Sequence, residues 1–473
     1  MRTKSQAMVS AGAAALLSVW LAGCMVGPNY KRPQVAPPPA YRGADNAVTD
    51  AAQTASVGDQ NWATVFQEPE LQDLIRTALK NNYDVQIAAK RVLEQQAQVK
   101  ITRAAEFPTL SGGGTGLGAE LPNSLGNQVG SNPLADGSFS FSAAWTPDFW
   151  GQYRRATEGA RATLLQQVWA QRAVRMSVVQ QVATAYFTIR ALDRQLEISQ
   201  ETVKIRQQSV DLTKRLTDGG SSPLSDLRQA EESLYTATSE IPQLEQQIQE
   251  EENALRLLLG QDPGTVAHTD PHALDPVPQA LPTGIPSQLL ERRPDILEAE
   301  EQLINANAQI GVAKAQFFPQ LSISASAGLG GDEWSNLFDP GGHTVYGIGS
   351  LTQAIFEGGK LKGQLNLAKA QKEEMVLNYQ KTIKGAFRDV SNALITVNKT
   401  RATREQQERL VASAEDASRL ARMRYQGGAT SYLEVLTTDA TLYSAQLNLV
   451  TAQQNEALSL VTLYDALGGG WQE

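Results

Sequence analysis

The chain has 473 residues, with 41 Lys and Arg against 50 Asp and Glu, for a formal net charge of −9. Hydrophobic residues make up 41% and charged residues 19%, too apolar a mixture for a disordered chain, and the acidic balance excludes a general nucleic-acid binder, which needs a basic footprint. A single cysteine excludes an internal disulfide framework and a cysteine-clustered zinc site.

The first element is a targeting signal. Arg2 and Lys4 precede an apolar stretch of about 16 residues, too short for a bilayer span of about 20. It ends in Leu21-Ala22-Gly23-Cys24, which resembles the lipobox of bacterial lipoproteins. Residues 1–23 read as a signal peptide, and Cys24 as the lipidated mature N-terminus. Met25 in place of Asp implies outer-membrane sorting for such a lipoprotein. The segment 24–60 contains Pro28, Pro33 and the run Pro37-Pro38-Pro39, so it predicts an extended strap rather than a core. No later stretch is apolar for about 18 residues, so no spanning helix is expected.

From residue 61 onward the chain contains one unit twice. Phe107-Pro108-Thr109-Leu110-Ser111 returns as Phe318-Pro319-Gln320-Leu321-Ser322. Arg215, Gly219, Ser222, Leu224 and Leu227 return as Arg424, Gly428, Ser431, Leu433 and Leu436, and Leu259-Gly260 returns as Leu467-Gly468. The expected division is a first repeat over 61–261, a Pro-rich joint over 262–286 and a second repeat over 287–473. His268 and His272 fall in that joint, where an exposed loop is the expectation.

Each half has the same predicted order. A helix over 70–104 leads to strands over 107–119 and 136–148. In the second strand Phe139, Phe141, Ala143 and Trp145 share one face by strict alternation. Residues 152–217 contain no proline and predict one helix of about 100 Å, at about 1.5 Å per residue. A turn at Asp218-Gly219-Gly220-Ser221-Ser222-Pro223 and a return helix over 223–259, carrying Pro242, complete the half. The second half predicts a helix over 287–316, strands over 317–330 and 343–356, a long helix over 358–426, a turn at Gly427-Gly428 and a helix over 431–467. Val178, Val182, Ala185, Ile189, Leu192 and Leu196 step by four and three, as do Ile383, Phe387, Val390, Leu394 and Val397. That period is the core of helix–helix packing.

Strands that cross a membrane must close into a barrel, and outer-membrane barrels have at least about eight. Four predicted strands per chain require more than one copy. Two copies would supply eight and three would supply twelve, and periodicity does not choose. No phosphate-binding Gly-rich loop ending in Lys-Ser/Thr and no Gly-x-Ser-x-Gly elbow between strand and helix is found, so the chain does not read as an enzyme. The competing reading is a periplasmic adaptor lipoprotein. An adaptor needs one helical hairpin flanked by β-rich domains, whereas two hairpins stand in tandem here.

At this point the sequence resembles the TolC family of outer-membrane efflux proteins, in the lipoprotein branch that serves RND-type pumps. The resemblance rests on the lipobox with Val26-Gly27-Pro28-Asn29-Tyr30, the duplicated Phe-Pro-x-Leu, Ile355-Phe356-Glu357-Gly358-Gly359, Arg424-Tyr425-Gln426-Gly427-Gly428 and Ala466-Leu467-Gly468-Gly469-Gly470-Trp471. It implies a mainly α fold with membrane β: a homotrimer with one 12-stranded β-barrel continued by a 12-helix periplasmic α-barrel. It further implies docking to a periplasmic adaptor and an inner-membrane RND-type transporter, passive export, no nucleic acid, and no cofactor beyond the covalent lipid on Cys24.

Two sets of site residues follow. Gly219, Gly220, Gly427 and Gly428 permit left-handed backbone at the ends of the long helices and are the expected adaptor-docking tips, a role compatible with simple helix capping. The family's periplasmic gate, matched residue by residue, falls on Asp226 and Glu434 as acidic positions after the two turns, with Arg424 and Tyr425 as latch residues. Thr437 stands where relatives often carry Asp, which points to Asp439 as a displaced acid. The alternative for Asp226 and Glu434 is ordinary first-turn acids at a positive helix N-terminus.

Overall fold

The computed structural model describes residues 25–43, 56–119, 134–266, 284–331 and 341–471. The signal segment, Cys24, His268, His272 and residues 267–283 of the Pro-rich joint lie outside the described residues. Among the described residues a 3-10 turn, Val57–Asp59, precedes α1 (Trp62–Val65), α2 (Pro69–Asn81), α3 (Tyr83–Ala104), β1 (Thr109–Ala119), β2 (Leu134–Trp145), α4 (Gln152–Asp218) and α5 (Leu224–Leu258). The second half supplies α6 (Pro286–Arg292), α7 (Pro294–Ala315), β3 (Gln320–Gly331), β4 (His343–Thr352), α8 (Lys360–Gln426) and α9 (Tyr432–Ala466). The long helices α4 and α8 have 67 residues each, and the return helices α5 and α9 have 35 each.

Two expected helices are each broken in two. Over 70–104 the break is Asn82, whose side chain donates to the Leu258 carbonyl at 3.0 Å and accepts from the amides of Asp84 and Val85 at 2.8 and 3.2 Å. One side chain thus docks the break on α5 and caps α3, whose free N-terminal amides need an acceptor. Over 287–316 the break is Arg293, at φ −71° and ψ 122°. It precedes Pro294, which disfavours helical backbone at the residue before it.

The chain divides into two compact units, 1–34 with 92–167 and 299–379, and 35–91 with 168–298 and 380–473. The first holds an antiparallel sheet in the order β1-β2-β3-β4, so β1 and β4 are its edges. Directly paired residues share a face, and the register sorts β2 and β3 into two faces. Phe139 opposes Leu329, Phe141 opposes Ala327, and Ala327 opposes Val345 on one face. Ser142 opposes Ser326 and Thr115 opposes Ser138 on the other, with hydroxyl pairs at 3.4 and 2.6 Å. Tyr346 and Ile348 depart from this pattern on β4, standing opposite Ser326 and Ser324. The apolar face has no core over it: Phe141 is 53% exposed and Val345 79%. Both strand pairs end earlier than expected, at Trp145 and Thr352, where the chain turns toward α4 and α8.

Residues 25–38 of the strap form neither helix nor strand, and they are seated. The Val26 amide donates to the Trp150 carbonyl at 3.1 Å. Arg155, only 2% exposed, donates to the carbonyls of Val26 and Gly27 and to Asn29 Oδ1 at 2.8 Å, and pairs with Glu158 at 2.6 Å. Gly27 has φ +102° and lies so close to Gly311 that a Cβ would stand 2.6 Å from its Cα. Further along, Tyr30 donates to Glu300 at 2.9 Å, and Arg32 grips both oxygens of that carboxylate.

In the second unit Arg293 grips Asp295, donates to the Ala466 carbonyl at 3.2 Å and stands 3.5 Å from Asp389. Burial pushes the nearby Asp465 carboxyl up to about 6, with Arg293 pulling the other way. The apolar period of the long helices is buried as expected at Val178, Val182, Ala185 and Ile189, and at Ile383, Val390, Leu394 and Val397.

Two outcomes are expected. Arg155→Met should leave three strap acceptors without a donor, lower stability by about 1.5–3 kcal/mol and open residues 25–43 to limited proteolysis. Unchanged proteolysis would mean the strap is held elsewhere. For Asp465 the folded value lies above the ordinary one. Its stabilising contribution is full below about pH 4 and is lost as pH rises through about 6, at no more than about 1.4 kcal/mol per pH unit. Asp465→Asn should flatten the pH dependence of thermal unfolding across that window.

Candidate functional site: the two helical turns

Both long helices end in the same device. In α4 the Ser221 amide returns to the Leu216 carbonyl at 2.8 Å and the Gly220 amide to Thr217 at 3.0 Å. In α8 the Ala429 amide returns to Arg424 at 2.8 Å and the Gly428 amide to Tyr425 at 3.0 Å. These paired bonds are Schellman caps, which need a left-handed residue at the turn. Gly220 and Gly428 supply it, at φ +71° and +70°. Of the four glycines expected to use that conformation, Gly219 and Gly427 do not; their amides close ordinary helical bonds to Arg215 and Met423. A Cβ at Gly220 or Gly428 would meet nothing within 4 Å, so conformation and not space demands glycine there.

The caps also correct the register of the duplication. Gly220 matches Gly428, and the helix starts Leu224 and Tyr432 match at the same spacing. The expected pairing of Gly219 with Gly428 is therefore off by one, because tandem glycines in both turns let the sequence slide. In the structural register Arg424 has Leu216, not Arg215, as its counterpart.

The acids expected at the gate are matched positions with unlike surroundings. Asp226 and Glu434 each sit in the first turn of a return helix. Ser222 donates to Asp226 at 2.8 Å, and its counterpart Thr430 donates to Glu434. Glu434 is also paired with Arg424 at 2.7 Å, whereas the partners of Asp226 are the hydroxyls of Ser222 and Ser225. Asp439 faces back onto α8: Ser418 donates to it at 2.5 Å and Arg422 pairs with it at 2.9 Å, leaving its side chain 15% exposed.

Tyr425 connects the two turns. Its ring lies 5.5 Å from that of Tyr432, and its hydroxyl lies near Ser222 and Asp226. Burial, reinforced by the Asp226 carboxylate, pushes that hydroxyl above the ordinary tyrosine range. Beneath it Val210, Leu227, Leu234, Ala421, Tyr432 and Val435 form one apolar cluster from α4, α5, α8 and α9. The end of the four-helix packing is therefore tied by a core, with charges and hydroxyls around it. Sequence pattern missed the exposed apolar side chains beside the turns: Leu224 at 56%, Leu433 at 58% and Met423 at 51%. A leucine four or five residues after each Gly-Gly turn was a signal that could have singled out Leu224 and Leu433.

The cap geometry separates the paired glycines. Gly428→Val should strain the turn and speed amide exchange at Ala429, whereas Gly427→Ala should leave exchange near the parent rate. Equal effects from the two would remove the conformational argument.

The chain matches the family described as OEP, outer membrane efflux protein, over residues 74–261 and 285–469, one stretch in each half. The cation efflux system protein CusC of Escherichia coli O6:H1 is 33% identical over 455 residues, 96% of this chain and 97% of that protein. A toluene efflux pump outer membrane protein of Pseudomonas putida, TtgC, is 35% identical over 462 residues, 96% of this chain and 94% of the relative. Among solved structures, the open state of the Neisseria gonorrhoeae MtrE outer membrane channel superposes with a TM-score of 0.83 at 27% identity, over 95% of this chain and 99% of that one.

Proposed function

The chain belongs to the outer membrane efflux protein family, an outer-membrane efflux channel of TolC-like fold that extends into the periplasm, and from that premise we propose how it assembles and conducts. Three copies close their four-stranded sheets into one 12-stranded barrel, and their long helices continue it as a periplasmic tunnel of 12 helices. The carrying observation is the sheet itself, with an apolar face and a hydroxyl face over β2 and β3 and two free edges. That pattern suits lipid outside, water inside and a neighbouring copy at each edge.

In this reading residues 1–23 are removed and the lipid on Cys24 adds an anchor at the start of the strap, 24–60. The repeats 61–261 and 287–473, joined by 262–286, supply the wall. The channel takes no catalytic step. An inner-membrane RND-type transporter supplies the energy and a periplasmic adaptor docks at the turns, where Gly220, Gly428 and the exposed Leu224, Leu433 and Met423 form the contact. That relatives of similar identity are named for cation and for toluene efflux supports a conduit whose wall does not choose the cargo.

The closed state is held at the same turns. Three copies of Asp226 and of Glu434 form rings of like charge, which favour cations and bind multivalent ones. Because Arg424 offsets Glu434 within each chain, Asp226 carries more of the field. In planar-bilayer recordings the parent trimer should show a small, cation-preferring conductance blocked by multivalent cations from the periplasmic side. Asp226→Ala should relieve more of that block than Glu434→Ala, and Tyr425→Phe should raise the closed-state conductance. Undiminished block in the Asp226→Ala, Glu434→Ala double variant would place the ring elsewhere, and a parent without any conductance would sink the conduit reading.

A further inference from the structure

The two halves close their strand pairs in the same way. Trp145, the last residue of β2, donates its indole N–H to the Glu106 carbonyl at 3.2 Å. Gln353, just after β4, donates its amide to the Phe317 carbonyl at 3.2 Å. Glu106 and Phe317 each stand two residues before the proline that leads into a first strand, Pro108 or Pro319.

Beyond those latches the halves diverge. The linker between β2 and α4 covers the lead-in of the next strand in the sheet. Trp150 stacks on Phe318 with ring centres 4.7 Å apart and planes at 22°, and its indole donates to the Pro319 carbonyl at 2.7 Å. Gln320 completes the contact by donating to Gln152 at 2.8 Å. The matching linker between β4 and α8 has nothing to cover, because β4 is an edge strand. Its Ile355 is 98% exposed and its Phe356 89%. Among the described residues, the lead-in of β1, at the opposite edge, has no linker over it, and its Phe107 is 53% exposed.

We infer that Ile355 and Phe356 form an intersubunit clasp that packs on Phe107 of a second copy of this chain. The inference rests on the oligomeric reading above and deepens it. In a meander of four strands the two edges run in opposite directions, so β4 of one copy and β1 of the next join antiparallel, as β2 and β3 do within the chain. That pairing carries the β4–α8 linker onto the β1 lead-in in the way the β2–α4 linker is carried onto the β3 lead-in. Charge agrees with the apolar match. Glu357 follows Phe356, and Arg103 stands over the Phe107 ring at 5.7 Å, so opposite charges flank the contact. The duplication thus uses one junction twice, once inside the chain and once between chains.

The test uses the full mature chain in its native membrane. Phe356→Cys combined with Phe107→Cys, treated with a short bismaleimide, should give dimer and trimer bands under denaturing conditions, and neither single variant should. Ile355→Ser with Phe356→Ser should keep the parent's helical circular dichroism and shift the detergent-solubilised mass from trimer to monomer. If the parent has trimer mass but the double-cysteine variant gives no ladder, or the serine variant stays fully trimeric, the clasp is wrong and the trimer stands. A parent of monomer mass overturns the oligomeric reading and the clasp together. A nitroxide on Phe356→Cys relaxed by oxygen as lipid-exposed labels are would assign the linker to the bilayer surface and likewise refute the clasp.

Discussion

Everything in this chain depends on a sheet that is incomplete alone. Each edge strand carries unpaired amides and carbonyls along its length, and lipid offers them no partner. Four strands of 10 to 12 residues cannot curl into a barrel by themselves. Both faces are also bare, the apolar one included, so the sheet is no half of a sandwich waiting for helices. In the proposed assembly lipid wets one face, water the other, and another copy completes each edge. Sequence alternation, duplication and strand number fit that assembly.

The duplication solves a length problem as well. A 67-residue helix is about 100 Å long, and its partner helices must stay in register over that distance. Both halves therefore stop their helices with the same device at the same spacing. Gly220 and Gly428 end the long helices, and Gly260 and Gly468 end the return helices, all at positive φ. The last two are constrained by space too: a Cβ at Gly260 would stand 2.6 Å from the Asn81 carbonyl oxygen, and one at Gly468 would crowd Arg293. Fixed stops at both ends keep each apolar stripe facing its partner. Where the halves differ, the difference is local: the strap is seated against Trp150, Arg155 and Gly311, and Arg424 stands where the first half has Leu216.

How much of this the sequence revealed follows from the range of the forces involved. Alternation in β2 and β3, the proline-free runs and the Gly-Gly turns are local, and they placed the strands and long helices to within a few residues. The break at Arg293 was also local, since Pro294 announces it, though the single helix expected over 287–316 passed over it. The break at Asn82 was not, because the bond that fixes it reaches Leu258, far along the chain. The one-residue slip between the turns was hidden by tandem glycines, which only backbone torsions distinguish. The acids show the same limit. Their positions after the turns were legible, but that Arg424 offsets Glu434, that Arg422 and Ser418 occupy Asp439, and that Asp226 keeps only hydroxyl partners are facts of packing.

The distribution of chemistry along the chain then has a physical reading. The hydroxyl face of the sheet offers serines and threonines that hydrogen-bond one another across strands, as Thr115 with Ser138 and Ser142 with Ser326. Such a surface is wettable and carries little charge, so it distinguishes poorly between solutes. Charge is concentrated instead at the far ends of the helices, where Asp226, Glu434, Arg424, Arg422 and Asp439 gather around one apolar cluster. A polar network in a partly desolvated place is sensitive to small displacements, because each lost partner leaves an unpaired group. The same network placed along the wall would obstruct every solute that passed. In the proposed channel, separating an indifferent wall from a charged, cooperative tip would let one architecture hold a seal when idle and offer little resistance when opened.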